Sequence, residues 1–314
     1  MAKALEYNAT MVERVDLTDA LTLFKVMPDE RPAPGWFVPG QYCVLGMNND
    51  ARPELGGVRR SMSIASAPED DGPVEFYIRF VAKPESENPL THQLWKLKNG
   101  DRMYMRPKAA GVFTVKDTAG DDDPRFKIMV AAGTGSAPFV SIVRSELRRN
   151  PKADLSRYVI LHGVSYPGDL GHRAELQAMA ASNGLHYFGT VSRPRPGDGW
   201  DGDVGRVESY FDPTRLGELE RRLGLPEGGF DPGSAVVLIC GLQGTIGMTI
   251  THLCARGFVP DHKRMREALG VPDDAPASLY YEQYDTEPVI DIKDPAVVDP
   301  LKAQLAAARA KLGA

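Results

Sequence analysis

The sequence has few cysteines, no long apolar run and no cluster of basic residues, and each absence excludes a class of protein. The three cysteines, Cys43, Cys240 and Cys254, are too few to supply the four ligands that an iron–sulfur cluster normally needs. A formal net charge of −5 and the lack of a basic run speak against nucleic acid as a ligand. The six histidines show no metal-ligand spacing, so no metal site is expected.

The chain also lacks the features that direct a protein to a membrane. No stretch of about 18 apolar residues is present, and residues 1–7 contain no apolar signal core. We therefore expect a cytoplasmic protein that makes no membrane contact. Its 314 residues, of which 42% are hydrophobic, are enough to build two ordinary domain cores.

The first part of the chain predicts a small antiparallel barrel. Short strand-like runs separated by Pro, Gly, Asp and Asn occur at residues 11–15, 20–26, 42–45, 61–66, 74–80, 102–105 and 112–115. A helix is predicted within residues 88–97. The polar stretch 116–125 indicates a linker, so we place the barrel domain at residues 1–119.

Beyond the linker, predicted strands alternate with predicted helices. The strands fall at residues 127–131, 158–163, 185–191 and 235–240, and the helices at 138–149, 173–181, 213–223 and 245–256. This alternation predicts a doubly wound parallel sheet, so the fold class is a β barrel followed by an α/β domain at 120–270. The C-terminal segment, 271–314, includes a predicted helix over the Ala- and Lys-rich residues 301–312.

Two segments are suited to hold a phosphorylated cofactor. The first places a cation and small hydroxyl groups on a strand-like run, at Arg60, Ser61, Met62 and Ser63. The second is a predicted strand, tight turn and helix start, at Gly133, Thr134, Gly135, Ala137 and Pro138. There, backbone N–H groups and the helix N-terminus can approach a pyrophosphate. Taken separately, a surface arginine, a strand serine and a glycine-rich packing turn explain the same residues.

The order and spacing of the two segments resemble the ferredoxin–NADP reductase family. Its flavin motif reads Arg-x-Tyr-Ser and its nucleotide motif reads Gly-Thr-Gly-x-Ala-Pro. Further matches lie at residues 37–42, 239–242 and 281–284. The resemblance implies an oxidoreductase that binds FAD on the barrel and NADP on the α/β domain. Met62 replaces the family tyrosine; it can pack against a ring but has no hydroxyl.

The resemblance assigns roles to individual residues of both domains. Arg60 would hold the flavin pyrophosphate, and Ser63 would lie beside flavin N5. Looser flavin matches are Tyr77, Ile78, Arg79, Leu90 and Thr91. Positions that receive the 2′-phosphate of NADP match Ser192, Arg193 and Arg206. The segment flanking the adenosine matches Leu242 and Gln243, which follow Gly241, a further predicted cofactor contact. Because guanidinium suits phosphate, whereas NAD sites usually offer a carboxylate, we predict NADPH. Solvated loop arginines are the alternative, and NADH-using relatives carry similar loops.

Three further residues complete the implied catalytic set. By the resemblance, Cys240 lies against the nicotinamide near C4, Tyr284 covers the flavin, and Glu282 helps to relay protons. A buried small hydrophobe and an aromatic strand edge are the alternatives for Cys240 and for the tyrosines. Thirty residues follow Tyr284, so we expect that displacement of this ring is hindered or controlled.

The sequence thus predicts an FAD-dependent reductase that transfers electrons between NADPH and a separate carrier, ferredoxin or flavodoxin. A basic surface that could meet an acidic carrier is predicted from Lys96, Lys98, Arg102, Arg106, Lys108, Arg144, Arg148 and Arg149. One alternative is the NADH-linked reductase component of an oxygenase. Another is a flavin-binding regulatory module with slow turnover.

Overall fold

The structure, a computed structural model, describes residues 4–30 and 33–313. Residues 1–3, 31 and 32 of the predicted barrel domain and the last residue of the predicted tail lie outside the described residues. The chain forms two compact units, Met1–Val115 with Ala137–Ala153, and Lys116–Ser136 with Asp154–Ala314. No helix in the described ranges is long and apolar enough to cross a membrane.

The first unit, called the barrel unit below, is built on one antiparallel sheet. Its strands are β1 (Ala9–Thr18), β2 (Leu21–Pro28), β3 (Tyr42–Asn48), β4 (Gly57–Ser63), β5 (Val74–Arg79) and β6 (Arg102–Met105). Their order is β4-β3-β6-β1-β2-β5. The two ends of the sheet meet where Ile64 bridges to Phe76 and the Ala65 N–H donates to the Glu75 carbonyl at 2.9 Å. The sheet therefore curls towards a closed barrel around buried apolar side chains.

Short helices complete the barrel unit. They are α1 (Leu90–Leu94), α2 (Val115–Thr118) at its boundary, and α3 (Ala137–Arg149). The prediction of a strand at residues 112–115 is wrong: Val112 is exposed, and the Phe113 ring packs against Phe139 of α3 at 5.8 Å between centroids. The apolar run thus buries one ring against a helix instead of pairing with a strand.

Helix α3 is bound to the barrel by polar contacts. The Ser141 hydroxyl donates to the Ser66 carbonyl at 2.7 Å. Arg144 donates to the Ala65 carbonyl at 2.9 Å and forms a largely buried ion pair with Glu75 at 2.7 Å. These bonds join α3 to the segment that closes the sheet.

The second unit, called the nucleotide unit below, contains a parallel sheet with helices. Its elements are β7 (Phe126–Ala132), β8 (Tyr158–Val164), α4 (Arg173–Asn183), β9 (His186–Val191), β10 (Asp203–Val204), α5 (Pro213–Arg222), β11 (Ala235–Gly241), α6 (Gln243–Cys254), α7 (Lys263–Leu269), β12 (Leu279–Gln283) and α8 (Pro295–Leu312). All strands run parallel in the order β10-β9-β8-β7-β11-β12. The predicted fold class is confirmed. The strand order reverses direction between β7 and β11, where doubly wound sheets bind ligands.

The C-terminal tail packs onto the nucleotide unit of its own chain. Val289, Val298, Leu301 and Leu305 lie in the same buried cluster as the apolar face of α6. The tail helix begins earlier than the composition indicated, at Pro295, because the Asp294 carboxylate accepts a hydrogen bond from the Ala296 N–H at 2.9 Å. Residues after β12 are therefore part of a folded core.

Candidate functional site

Strand β4 carries the predicted flavin arginine at the edge of its sheet. Arg60 is exposed, and its guanidinium donates to the Arg59 carbonyl at 2.8 Å. Within residues 4–30 and 33–313 it forms no ion pair, so its charge is available to an anion. Ser61 beside it is exposed, whereas Ser63, at the end of the strand, is buried. A guanidinium that forms no ion pair in the described part of the chain, beside hydroxyl groups, fits a cofactor pyrophosphate.

The looser flavin matches occupy different environments in the barrel unit. Met62 packs against the barrel core, while Ile78 and Leu90 are buried within it. Any contact of the latter two with a cofactor would therefore use backbone atoms. The remaining three are Tyr77, buried beside Ala137; Arg79, exposed at the end of β5; and Thr91, whose hydroxyl accepts from the Val81 N–H at 3.3 Å.

The predicted glycine turn lies at the carboxyl end of β7. Residues Gly133–Ser136 form a 3₁₀ turn that leads directly into α3, with Ala137 and Pro138 as its first residues. Gly133 has φ 56°, and a Cβ there would meet nothing within 4 Å. In contrast, a Cβ on Gly135 would lie 2.1 Å from the Cys240 carbonyl oxygen. Gly135 thus permits close packing on β11, while the backbone at Gly133 borders open space that a phosphate group can enter. Thr134 lies between them, half-buried.

His162 reaches this turn from β8. Its Nε2 lies 2.9 Å from the Gly133 carbonyl, and its Nδ1 lies 3.5 Å from the Tyr187 hydroxyl. Since a carbonyl only accepts, Nε2 carries the proton and Nδ1 accepts from Tyr187. Burial lowers the pKa of His162 to about 4, although its bond to Gly133 acts in the opposite direction. A neutral ring therefore fixes the turn.

The predicted 2′-phosphate residues lie near the ends of β9 and β10. Ser192 donates its hydroxyl to the Val164 carbonyl at 3.1 Å. Arg193 hydrogen-bonds to the Tyr166 side chain, which the sequence did not single out. Arg195 also stacks 4.2 Å over the Tyr166 ring, and its hydrogen bond is the main cause that lowers the pKa of that phenol. Position after β8 is the signal that could have identified Tyr166.

Arg206 is only partly available for a phosphate. Its Nε forms an ion pair with Glu208 at 2.8 Å, but the Arg206 side chain is 67% exposed. A Cβ on Gly244 would lie 3.6 Å from Nη2 of Arg206, so the arginine is close to the start of α6. Arg206 and the Gln243 segment, predicted separately, are thus brought together.

The three residues of the implied catalytic set converge at the ends of β11 and β12. The parallel register pairs Cys240 directly with Glu282, and the Cys240 thiol lies 4.0 Å from a Glu282 carboxylate oxygen. The side chain of Tyr284 hydrogen-bonds to the same thiol. Burial, followed by the charge of Glu282, raises the pKa of Cys240 well above its ordinary value. The thiol is therefore neutral and poorly suited to act as a nucleophile.

The residues after Cys240 form the connection to α6. Gly241 is buried, Leu242 is 58% exposed, and Gln243 is the first residue of the helix. The Gln243 N–H donates to the Asp285 carboxylate at 2.9 Å. Asp285 comes from the segment after Tyr284, and no local sequence pattern pointed to this contact.

The fold and these clusters define the class: an oxidoreductase with a flavin-type barrel and a nicotinamide-nucleotide domain. A family model described as an oxidoreductase NAD-binding domain matches residues 129–250. Ferredoxin–NADP reductase B of Sorangium cellulosum is 32% identical over 231 residues, which is 73% of this chain and 80% of that protein. The chain therefore belongs to the ferredoxin–NADP reductase family.

Two other relatives show the range of similar proteins. NADH–cytochrome b5 reductase 1 of Emericella nidulans is 27% identical over 216 residues, covering 67% of this chain and 64% of that protein. The crystal structure of a ferredoxin NADP⁺ reductase from Neisseria gonorrhoeae with bound FAD and NADP has the same fold. Its TM-score is 0.67 at 20% identity, covering 88% of this chain and 97% of that one. The predictions of an enzyme and of FAD with NADP as its cofactor pair are confirmed at the level of the family. The individual site residues stay predictions.

Proposed function

We propose that this chain is an FAD-dependent reductase that transfers electrons between NADPH and a one-electron carrier such as ferredoxin or flavodoxin. The observation that carries the proposal is the convergence of Cys240, Glu282 and Tyr284 beside the Gly133 turn, at the reversal point of the parallel sheet. Distant parts of the sequence supply these residues, and the family resemblance gave each of them a role. Packing of the hydrophobic core does not by itself require a thiol, a carboxylate and a phenol at the same end of β11 and β12.

The barrel unit offers FAD a site for its negative charge. Arg60, with no ion pair in the described ranges, would bind the pyrophosphate, and Arg79 adds a second exposed cation. Ser63 would lie close to the flavin ring. When bound, FAD supplies the conversion between a two-electron hydride and single electrons.

The nucleotide unit would bind and orient NADPH. The backbone at Gly133 would receive the pyrophosphate, while His162 keeps that turn in place without adding charge. Cys240 presents a small neutral thiol where a bulkier or charged group would obstruct the nicotinamide. Glu282, next to Cys240 in the register, is the nearby group able to accept or donate a proton.

Selectivity for NADPH rests on the arginines around Tyr166. Arg193 and Arg195 bring two guanidinium groups to one phenol, and guanidinium is suited to bidentate binding of phosphate. One observation favours the second candidate, an NADH-linked reductase component of an oxygenase: Glu208 already pairs with Arg206 and reduces its charge. Whether the guanidinium groups of Arg193, Arg195 and Arg206 are available to a phosphate therefore decides the preference for NADPH or NADH.

The surface predicted to meet an acidic carrier is smaller than the sequence suggested. Four of its eight cations form ion pairs inside the barrel unit: Arg102 with Asp29, Arg144 with Glu75, Arg148 with Asp70 and Arg149 with Glu69. In the described ranges Lys98, Arg106 and Lys108 have no such partner. They remain candidates for docking a carrier.

Anaerobic stopped-flow mixing of the FAD-loaded protein with NADPH or NADH tests the proposal. Fast bleaching of the flavin with strong preference for NADPH, followed by reduction of added ferredoxin or flavodoxin, is the expected result. Preference for NADH would favour the oxygenase-type alternative. Bound flavin that neither nucleotide reduces would refute reductase function and favour the regulatory module.

A further inference from the structure

Hydrogen bonds hold the segment around Tyr284 in place on both sides of this residue. The Tyr284 N–H donates to the Gly241 carbonyl at 3.0 Å. One carboxylate oxygen of Asp285 accepts from the Gln243 N–H at 2.9 Å, and the other accepts from the Gln283 side-chain amide. These hydrogen bonds thus join Tyr284 and the residues on either side of it to the end of β11 and the start of α6.

The chain beyond Asp285 remains in contact with α6. The Gln243 side-chain amide donates to the Val289 carbonyl at 3.3 Å. A Cβ on Gly247 would lie 2.5 Å from the same carbonyl oxygen, so the segment lies directly on the helix. Val289 itself is buried in the core with Ile246 and Ile250. Tyr284 therefore cannot move with the freedom of a terminal residue, because a packed tail follows it.

We propose that Asp285 is a positioning residue that holds Tyr284 against Cys240 and thereby sets how readily nicotinamide takes the place of Tyr284. This inference rests on the proposed function, since it assumes that nicotinamide binds beside Cys240. Asp285 acts through the Gln243 backbone N–H and the Gln283 side-chain amide, and it touches no reacting atom.

The expected effect follows from the bond that Asp285 makes. A carboxylate that accepts a backbone N–H at the start of a helix shifts a conformational equilibrium about five- to tenfold. If Tyr284 and nicotinamide compete for one place, the apparent Kd of the nucleotide is its intrinsic Kd divided by the small fraction of molecules in which Tyr284 has moved away. Loss of the Asp285 bond should therefore tighten NADP⁺ binding by about five- to tenfold.

Three variants separate this role from general loosening of the tail. Asp285→Ala removes both bonds, whereas Asp285→Asn keeps an acceptor for the Gln243 N–H and loses only the bond from the Gln283 amide, so its effect should be smaller. Asp294→Ala is the matched control: Asp294 also accepts a backbone N–H at 2.9 Å at a helix start, but at α8, further along the tail. It should loosen α8 without altering the Tyr284 segment.

Two measurements on the FAD-loaded proteins test the proposal without turnover. Hydrogen–deuterium exchange reports the amides of Gln243 and Tyr284, which donate to Asp285 and Gly241. Equilibrium titration with NADP⁺ gives the Kd. Asp285→Ala should raise exchange at both amides and lower the Kd. Asp285→Asn should change both quantities less than Asp285→Ala does, and Asp294→Ala should leave them close to wild type. Melting temperature and flavin content show that each variant is folded.

Several results would overturn the inference. Unchanged exchange in Asp285→Ala would mean that the bond does not hold the segment, and raised exchange with an unchanged Kd would mean that the segment does not control nucleotide entry. An equal change of exchange and of Kd in Asp294→Ala would mean that the tail as a whole, and not Asp285, controls the segment. Wild-type protein that binds NADP⁺ but whose flavin is not reduced by NADPH refutes the reductase proposal alone, whereas failure to bind NADP⁺ refutes both.

Discussion

Replacement of His162 by glutamine should remove a large part of the pH dependence of stability. The ring is fully buried, donates to the Gly133 carbonyl, accepts from Tyr187 and lies near His172. Its pKa falls from 6.5 to about 4 in the folded protein. That difference corresponds to about 3 kcal/mol of unfolding free energy, at about 1.4 kcal/mol per pH unit.

The sign follows from which state binds the proton. Below pH 6.5 the unfolded chain takes up a proton at His162 that the folded chain resists until about pH 4. The contribution of His162 to the unfolding free energy is therefore fully present above pH 6.5. It falls as the pH is lowered from 6.5 towards 4, and about 2 kcal/mol is lost by about pH 5. His162→Gln retains an amide donor for Gly133 but cannot titrate, so it should lack this loss.

Urea unfolding of wild type and His162→Gln at a series of pH values from about 7.5 to about 5 measures the effect. The other five histidines are common to both proteins, so their contributions cancel in the comparison. The free-energy difference between wild type and variant should shrink by about 2 kcal/mol across the series. Parallel curves, or an NMR titration that places the pKa of His162 near 6.5, would refute the reasoning.

Three further substitutions test the candidate sites. Arg60→Ala should weaken FAD binding about ten- to hundredfold through the lost charge-assisted bonds, whereas Arg59→Ala should not; equal effects in a fluorescence titration would contradict the pyrophosphate role. Gly135→Ala should destabilise the protein by about 1–3 kcal/mol because its Cβ would meet the Cys240 carbonyl at the end of β11. The control Gly217→Ala, whose Cβ would have nothing within 4 Å, should be neutral or stabilising. Similar melting temperatures of the two variants would argue against the packing role of Gly135. Arg193→Ala should lower the NADPH-to-NADH ratio of kcat/KM at least about tenfold, and an unchanged ratio would remove this residue from the phosphate site.

Local patterns in the sequence were sufficient where the chemistry is local. The Gly133 turn is readable because a buried strand, glycines and a helix follow one another along the chain. The contact between Cys240 and Glu282 is different, since it depends on β12 adding to β11 in one register. Composition does not specify that register; only the family resemblance indicated it.

Residues that act through distant partners were missed or given another interpretation. Asp285 matters because its carboxylate reaches the start of α6, and His162 because its ring reaches a turn on the neighbouring strand. Tyr166 depends on two arginines more than twenty-five positions away. In the same way, four of the eight cations predicted to form the basic surface are paired with carboxylates, and the sequence alone does not reveal these pairs.

The assignment of α3 to the barrel unit has a consequence for synthesis and dissection of the chain. Residues Ala137–Ala153 belong to that unit although β7 of the nucleotide unit precedes them. A fragment that stops at residue 119 would lack α3, and with it both the Arg144 partner of Glu75 and the hydrogen bond from Ser141 to the Ser66 carbonyl. On the ribosome, likewise, the barrel cannot be finished until residue 153 has emerged, by which time the first strand of the other unit already exists.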